Sequence, residues 1–91
     1  MPFIQTRIQV GDYDAWKPNF DKDAPGARRS AKGHRIYRNV DDPNEVFIWI
    51  EFDSSEDAVE GRHRLLGSGV LDRFPDKTEP RVIEEAEAIT Y

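Results

Sequence analysis

Polar and apolar residues alternate at the start of the chain. Two sets of positions fall on opposite faces: Ile4, Thr6, Ile8 and Val10 on one, and Phe3, Gln5, Arg7 and Gln9 on the other. A period of two is typical of a β-strand with one buried face. The alternation ends at Gly11, and Asp12 is a candidate N-cap. We therefore predict a first strand over residues 3–10, followed by a helix.

The next segment repeats apolar residues at steps of three and four, as one face of a helix does. The stripe consists of Tyr13, Trp16, Phe20, Ala24, Ala27 and Ala31. Pro18 and Pro25 interrupt it, and each removes a backbone donor and clashes with the turn before it. We expect a first turn near residues 12–16, a restart around Pro18, and a second restart near Pro25 with Asp23 as its cap. Gly33 is suited to end this element in a left-handed conformation.

Residues 34–40 and 45–53 predict a β-hairpin. Between them, Asp41-Asp42-Pro43-Asn44 has turn chemistry, because Asp side chains bond nearby backbone groups and proline presets φ. The second strand of the hairpin is apolar on both faces except at Glu51. Such a strand is typical of the centre of a sheet that is covered on both sides.

The second half of the chain predicts one more helix and one more strand. Ser54 with Asp57 three residues later is a capping-box pattern, and the helix is expected to run to about Leu66. Gly67-Ser68-Gly69 breaks the helix, and residues 70–74 are expected to form a short turn or helix. A polar loop is predicted over residues 75–80 and the last strand over residues 81–90.

The predicted order β-α-β-β-α-β is that of a ferredoxin-like α+β domain, with a four-stranded antiparallel sheet and helices on one face. A chain of 91 residues fits one such domain, spanning residues 1–91. The helices leave the other sheet face bare, although the strand over residues 45–53 is apolar there as well. A second copy laid sheet to sheet would cover this face, so the pattern predicts a homodimer.

The composition argues against several classes of partner and of functional site. The formal charge of −5 argues against a nucleic-acid partner, which needs an excess of Lys and Arg. The absence of cysteine excludes disulfides, thiolate zinc sites and a cysteine nucleophile, and a cytoplasmic location is expected. We expect no membrane contact and no signal peptide, because no apolar run approaches roughly 18 residues and the start lacks a basic segment.

Two segments resemble a known group of proteins. They are Gly11–Pro18, reading GDYDAWKP, and Arg38–Val46, reading RNVDDPNEV. They resemble small bacterial proteins of the dimeric α/β-barrel superfamily, grouped as antibiotic biosynthesis monooxygenase-like or cyclase-like. The resemblance implies two sheets paired into a barrel and a pocket between each sheet and its helices.

Two alternatives for function follow, the first from this resemblance and the second from the absence of a strong catalytic motif. One is a cofactor-independent cyclase, isomerase or monooxygenase that acts on a small aromatic or polyketide-like molecule. The other is a non-catalytic dimeric protein with a binding or accessory role. The resemblance transfers no catalytic motif, so whether the protein is an enzyme stays open, and no cofactor is expected.

A polar row on the sheet is the first candidate site. Glu51, Arg7 and Tyr37 are the candidate catalytic groups, and Trp49 is a candidate ligand-binding wall. Glu51 among apolar residues is suited to act as a base toward an acidic C–H or phenol, and Arg7 to stabilise an enolate or carboxylate. The alternative is a cross-strand ion pair between Glu51 and Arg7 at the dimer interface.

The helices supply the remaining candidates. Arg62 falls within the buried arc of the second helix, where it either points into a ligand cavity or lies along the apolar surface. His63 at the edge of that arc is a candidate acid or base near neutral pH. Trp16 and Phe20 either stack on a planar ligand or belong to the core. The two histidines lack metal-binding spacing, so no metal site is predicted.

Overall fold

The computed structural model describes residues 1–91, whose elements follow the predicted β-α-β-β-α-β order. The strands are β1 (Pro2–Gln9), β2 (Ala31–Arg38), β3 (Glu45–Phe52) and β4 (Lys77–Glu84). The helices are α1 (Tyr13–Asp21) and α2 (Ser55–Gly67), and a 3-10 helix spans Val70–Arg73. None of the helices combines the length and the apolar character that crossing a membrane requires.

The four strands form one antiparallel sheet in the order β2-β3-β1-β4. β3 is therefore a central strand, as its apolar character predicts. The register of β1 on β3 sets Phe3 opposite Glu51 and Arg7 opposite Phe47. This α+β architecture is compatible with the predicted ferredoxin-like fold.

The core lies between one face of the sheet and the helices. Alternate residues of β1 and β3 face it, and each is at most 3% exposed: Ile4, Thr6, Ile8, Val46, Ile48, Ile50 and Phe52. The alternation predicted for β1 is confirmed. The opposite face of the sheet, here called the open face, carries Phe3, Gln5, Arg7, Phe47, Trp49 and Glu51.

The two helices pack differently. α2 buries Ala58 and Gly61, whereas α1 buries none of its nine residues. A Cβ atom on Gly61 would lie 3.0 Å from Cζ of Phe52, so α2 approaches the sheet closely because small residues face it. α1 instead packs against the core through the large, partly buried side chains of Trp16 and Phe20. These rings leave space between α1 and the sheet.

The interruption predicted at Pro18 is wrong, because α1 runs continuously through this residue. Pro18 removes the donor that would bond the carbonyl group of Asp14. Asp14 is exposed, so water is available to that carbonyl group. Asp12 is the N-cap as predicted, and its Oδ1 accepts the N–H groups of Asp14 and Ala15 at 3.1 and 3.3 Å.

The predicted restart near Pro25 is also wrong. Residues 22–30 form turns, in which Asp23 and Gly26 have φ angles of 45° and 68° that no right-handed helix contains. Asp23 accepts the N–H of Arg28 instead of capping a helix. β2 then begins at Ala31, so Gly33 lies within a strand and does not end a helix.

The last strand begins four residues earlier than predicted and ends at Glu84, six residues before the predicted end, and part of the predicted loop over residues 75–80 belongs to β4. Thr78 joins it to β1, since its carbonyl accepts the hydroxyl of Thr6 at 2.8 Å and its Oγ1 accepts the N–H of Arg7 at 3.0 Å. Pro80 is tolerated because β4 is an edge strand. The predicted cap of α2 is confirmed, with Ser54 Oγ accepting the N–H of Asp57 at 3.1 Å.

Candidate functional site

A cavity of about 610 Å³ lies between α1 and the covered face of the sheet. We call it the helix-side cavity. Of its 23 lining residues, 13 are hydrophobic. Ile8 and Ile48 line it from the sheet, Trp16 and Phe20 from α1, and Phe74 from the segment after the 3-10 helix. Its volume falls within the roughly 300–1,000 Å³ of pockets that hold small organic ligands.

Aromatic rings of α1 form one wall of this cavity. The ring centroids of Trp16 and Phe20 lie 5.0 Å apart, with 37° between the planes. The ring of Tyr13 lies 5.8 Å from that of Trp16 but does not line the cavity. Trp16 and Phe20 both pack against the core and line the cavity, so the two roles considered for them are compatible.

Arg28 is a polar group of the cavity wall that the sequence did not single out. Its guanidinium carbon lies 3.9 Å from the centre of the Phe20 ring, and its Nη2 donates to the carbonyl oxygen of Phe20. Its Nε lies 3.5 Å from Oδ1 of Asp23. These contacts hold a positive charge flat against an aromatic wall. No spacing rule marks an arginine in a turn-rich loop, so only the structure identifies it.

His34 was assigned no role from the sequence, yet it adjoins the same ring. The centroids of the Phe20 and His34 rings lie 5.1 Å apart in an edge-on arrangement. Partial desolvation by neighbouring atoms lowers the pKa of His34 below its usual value although the residue is exposed, and the positive charges of Arg28 and Lys17 lower it further, against a raising effect from Asp21. The imidazole is therefore mostly neutral near pH 7, the form that accepts a proton.

The open face carries a second concavity of about 640 Å³, here called the open-face hollow. Three of the predicted site residues, Glu51, Tyr37 and Trp49, line it together. The rest of its lining consists of Phe3, Gly33, His34, Arg35, Ile83 and residues 84–87. The predicted polar row on one sheet face thus exists around these three side chains.

Arg7 shares the open face but does not line the hollow. In the register of β1 on β3, Glu51 lies opposite Phe3, and Arg7 is four residues further along β1. Arg7 and Glu51 are therefore about 13 Å apart along the strands. The ion pair considered between these two residues is therefore wrong. Arg7 instead bonds the carboxylate of Glu45 through Nε, and its Nη1 lies 2.8 Å from Oδ1 of Asp76.

The contacts of Arg7 form a closed network. Hydrogen bonds to Asp76 and Glu45 raise the pKa of Arg7. The pKa of Glu45 is lowered, first by the hydrogen bond that Asn39 donates at 2.7 Å and then by Arg7. Arg7 likewise lowers the pKa of Asp76. Two carboxylates thus neutralise Arg7, an arrangement that ties β1 to β3 and to the segment before β4.

Arg62 and His63 line neither concavity. Nε of Arg62 donates to the carbonyl oxygen of Pro80 at 2.8 Å, so this side chain joins α2 to β4. His63 is exposed on the outer side of α2. The structure thus brings neither residue to Trp16 and Phe20, with which they were grouped as helical candidates.

No group of three or more His, Asp or Glu side chains is placed to hold a metal ion. Neither a scan against protein-family models nor a search of curated proteins finds a match to this chain. The likeness to dimeric α/β-barrel proteins therefore rests on two short segments and on a compatible fold. The two concavities are the features of this chain that bear on its function.

Proposed function

We propose that this protein binds a small aromatic or polyketide-like molecule in the helix-side cavity and acts on it without a cofactor, as a cyclase, isomerase or monooxygenase of the dimeric α/β-barrel type. The observation that carries the proposal is the cavity itself. It has a volume of about 610 Å³, and 13 of the 23 residues that line it are hydrophobic. The rings of Trp16 and Phe20 supply a wall suited to a planar ligand.

His34 and Arg28 provide the chemistry in this proposal. Cyclisation or isomerisation of a polyketide-like molecule starts with removal of a proton beside a carbonyl group, which needs a base that is neutral near pH 7. His34 meets this need: it lines the open-face hollow, and its ring contacts Phe20, which lines the helix-side cavity. The fixed charge of Arg28 beside the same ring would stabilise the enolate that forms.

The proposal includes a homodimer formed through the open face. Trp49 and Tyr37 are 37% and 51% exposed there, and Phe3 packs edge-on against Trp49 at 5.7 Å. Exposed aromatic rings on a helix-free sheet face favour an interface with a second copy. In this arrangement Glu51 lies beside the interface instead of in the reaction site.

Binding is tested by NMR on ¹⁵N-labelled protein titrated with 2-naphthol, a neutral planar probe. The two tryptophans report separately, since Trp16 lines the helix-side cavity and Trp49 the open-face hollow. The indole signals are assigned with a Trp49→Phe variant. We expect the Trp16 signal to shift and Phe20→Ala to weaken binding at least tenfold. Val40→Ala, at a residue 97% exposed, is the matched control. A shift of Trp49 alone, or of neither signal, contradicts the proposed site.

One observation favours the non-catalytic alternative. Two polar groups deep in the cavity already have partners: Arg28 bonds Phe20 and Asp23, and Thr6 bonds Thr78. Hydrogen–deuterium exchange at C1 of 2-tetralone separates the alternatives, because it reports proton abstraction beside a carbonyl group. Acceleration that His34→Gln abolishes and His63→Gln preserves supports the enzyme. Binding without acceleration supports a binding protein.

A further inference from the structure

We propose that the ligand of the helix-side cavity is an anion, a planar molecule that carries a carboxylate. This inference rests on the proposed function, since it names the ligand class for the same cavity. The charged residues of the lining are Lys22, Arg28 and Arg73, with Asp12 and Asp23. Cations outnumber carboxylates around the cavity, although the whole chain has a net charge of −5.

Both carboxylates of the lining are occupied by the fold. Asp12 caps α1, where its Oδ1 accepts two backbone N–H groups. Asp23 accepts the N–H of Arg28 with both oxygens, at 3.1 and 3.3 Å, and pairs with the guanidinium group of the same residue. Their negative charge is therefore directed at protein groups and is partly neutralised there.

Two cations of the lining are not occupied in this way. Lys22 directly follows α1, and Arg73 ends the 3-10 helix. Neither has a carboxylate oxygen within 4.0 Å. Both residues are exposed, so their long side chains are free to turn toward a bound molecule. They border the cavity at two different elements, and each offers a carboxylate an unpaired cation.

This charge distribution favours an acid over its neutral analogue. A cleft with apolar walls and charges of one sign concentrates ligands of the opposite sign. Hydrogen bonds from Lys or Arg to a carboxylate are also stronger than bonds between neutral groups. The aromatic part of the ligand would contact Trp16 and Phe20, and the carboxylate would meet Lys22 and Arg73. The charge of Arg28 is already paired with Asp23, so the preference is assigned to Lys22 and Arg73.

The test compares naphthalene-2-carboxylate with naphthalene-2-carboxamide, which has nearly the same shape and no charge. Affinity for each is measured by calorimetry, and the site is identified from the indole signal of Trp16. At low salt we expect the carboxylate to bind at least tenfold more tightly, and 0.5 M NaCl to reduce this preference. The double variant Lys22→Gln/Arg73→Gln should remove the preference. Arg81→Gln, which changes an exposed cation of β4 outside the cavity, should keep it.

The outcomes separate this inference from the proposed function. Equal affinity for the acid and the amide at Trp16, or a preference that survives the double variant, overturns the anionic ligand and leaves the cavity as a binding site. Failure of both probes to shift the Trp16 signal overturns the proposed site and the inference together. Lys22 also lies at the carboxyl end of α1, where a cation stabilises the helix. The ratio of the two affinities does not depend on that structural role.

Discussion

The carbonyl oxygen of Ala27 lies so close to Gly61 of α2 that a Cβ atom on Gly61 would be 2.7 Å from it. The loop over residues 22–30, which carries Asp23 and Arg28 to the helix-side cavity, is thus packed directly on the backbone of α2. Arg64 reinforces the contact by donating to the carbonyl oxygen of Gly26 at 3.4 Å. The position of α2 and the wall of the cavity therefore depend on each other.

Gly61→Ala is expected to destabilise the protein by about 1–3 kcal/mol, because the added methyl group must displace backbone and a buried ring. Urea unfolding followed by circular dichroism measures this change. Gly67→Ala is the matched control in the same helix, since a Cβ atom there meets nothing within 4 Å. It should be neutral or stabilising by about 0.4–1 kcal/mol. Equal effects of the two variants would contradict the close packing at Gly61.

The lowered pKa of His34 predicts a loss of stability in mild acid. The folded protein binds a proton at His34 more weakly than the unfolded chain does. Stability is therefore full above about pH 6.5 and declines as the pH falls below it. His34→Gln should flatten the pH dependence of the unfolding free energy between pH 5 and 7. An unchanged pH dependence in His34→Gln would contradict this prediction.

The lowered pKa of Glu45 predicts a second loss of stability, at a lower pH than the loss caused by His34. Its pKa is lowered by the hydrogen bond from Asn39 and then by Arg7, so the folded protein favours the charged carboxylate. The stabilisation is present above about pH 4.5, the usual pKa of glutamate, and is lost as the pH falls through the lowered value. Urea midpoints between pH 3 and 6 should vary less in Glu45→Gln than in the parent protein. Glu79→Gln, an exposed residue outside the network, should show the parental slope.

The proposed dimer predicts a mass of twice 10.5 kDa in sedimentation equilibrium at micromolar concentration. Trp49→Glu places a charge in the middle of the open face and should give a monomer that keeps its circular dichroism spectrum. Val59→Glu changes an exposed apolar residue of α2, on the other side of the molecule, and should remain dimeric. A parent protein that sediments as a monomer contradicts the dimer.

The sequence predicts best those elements whose burial follows one simple period. β1 and β3 alternate because one face of each is sealed in the core, and the same contrast is visible in the residue order. The ends of α1 and β4 are predicted poorly. Pro18 would interrupt the helix if the hydrogen bond that it removes left a carbonyl group without a partner. Asp14, whose carbonyl group loses that bond, is exposed to water, so the helix continues. Thr78 belongs to a strand because of its bonds to β1, a contact that no local pattern contains.

The same distinction holds for the candidate site: local patterns predict some of its residues, and tertiary contacts decide the others. Strand alternation correctly predicts that Glu51, Tyr37 and Trp49 share one face. It does not predict which residue Arg7 bonds, because that depends on a register and on Asp76, 69 residues away in the chain. The grouping of Phe20 with Arg28 and His34 likewise needs the path of the loop and the position of β2. These contacts between distant segments of the chain are visible only in the folded structure.

The shallow packing of α1 has a consequence for how a ligand enters. A short helix that buries none of its nine residues and lacks one hydrogen bond at Pro18 opens at a lower free energy than the sheet beneath it. Its amide hydrogens should therefore exchange with solvent sooner than those of α2, which is held at Ala58 and Gly61. Transient opening of α1 exposes the helix-side cavity while the sheet and α2 stay folded. Admission of the proposed ligand would thus be a local event, and it would leave the open face, with the proposed partner bound there, undisturbed.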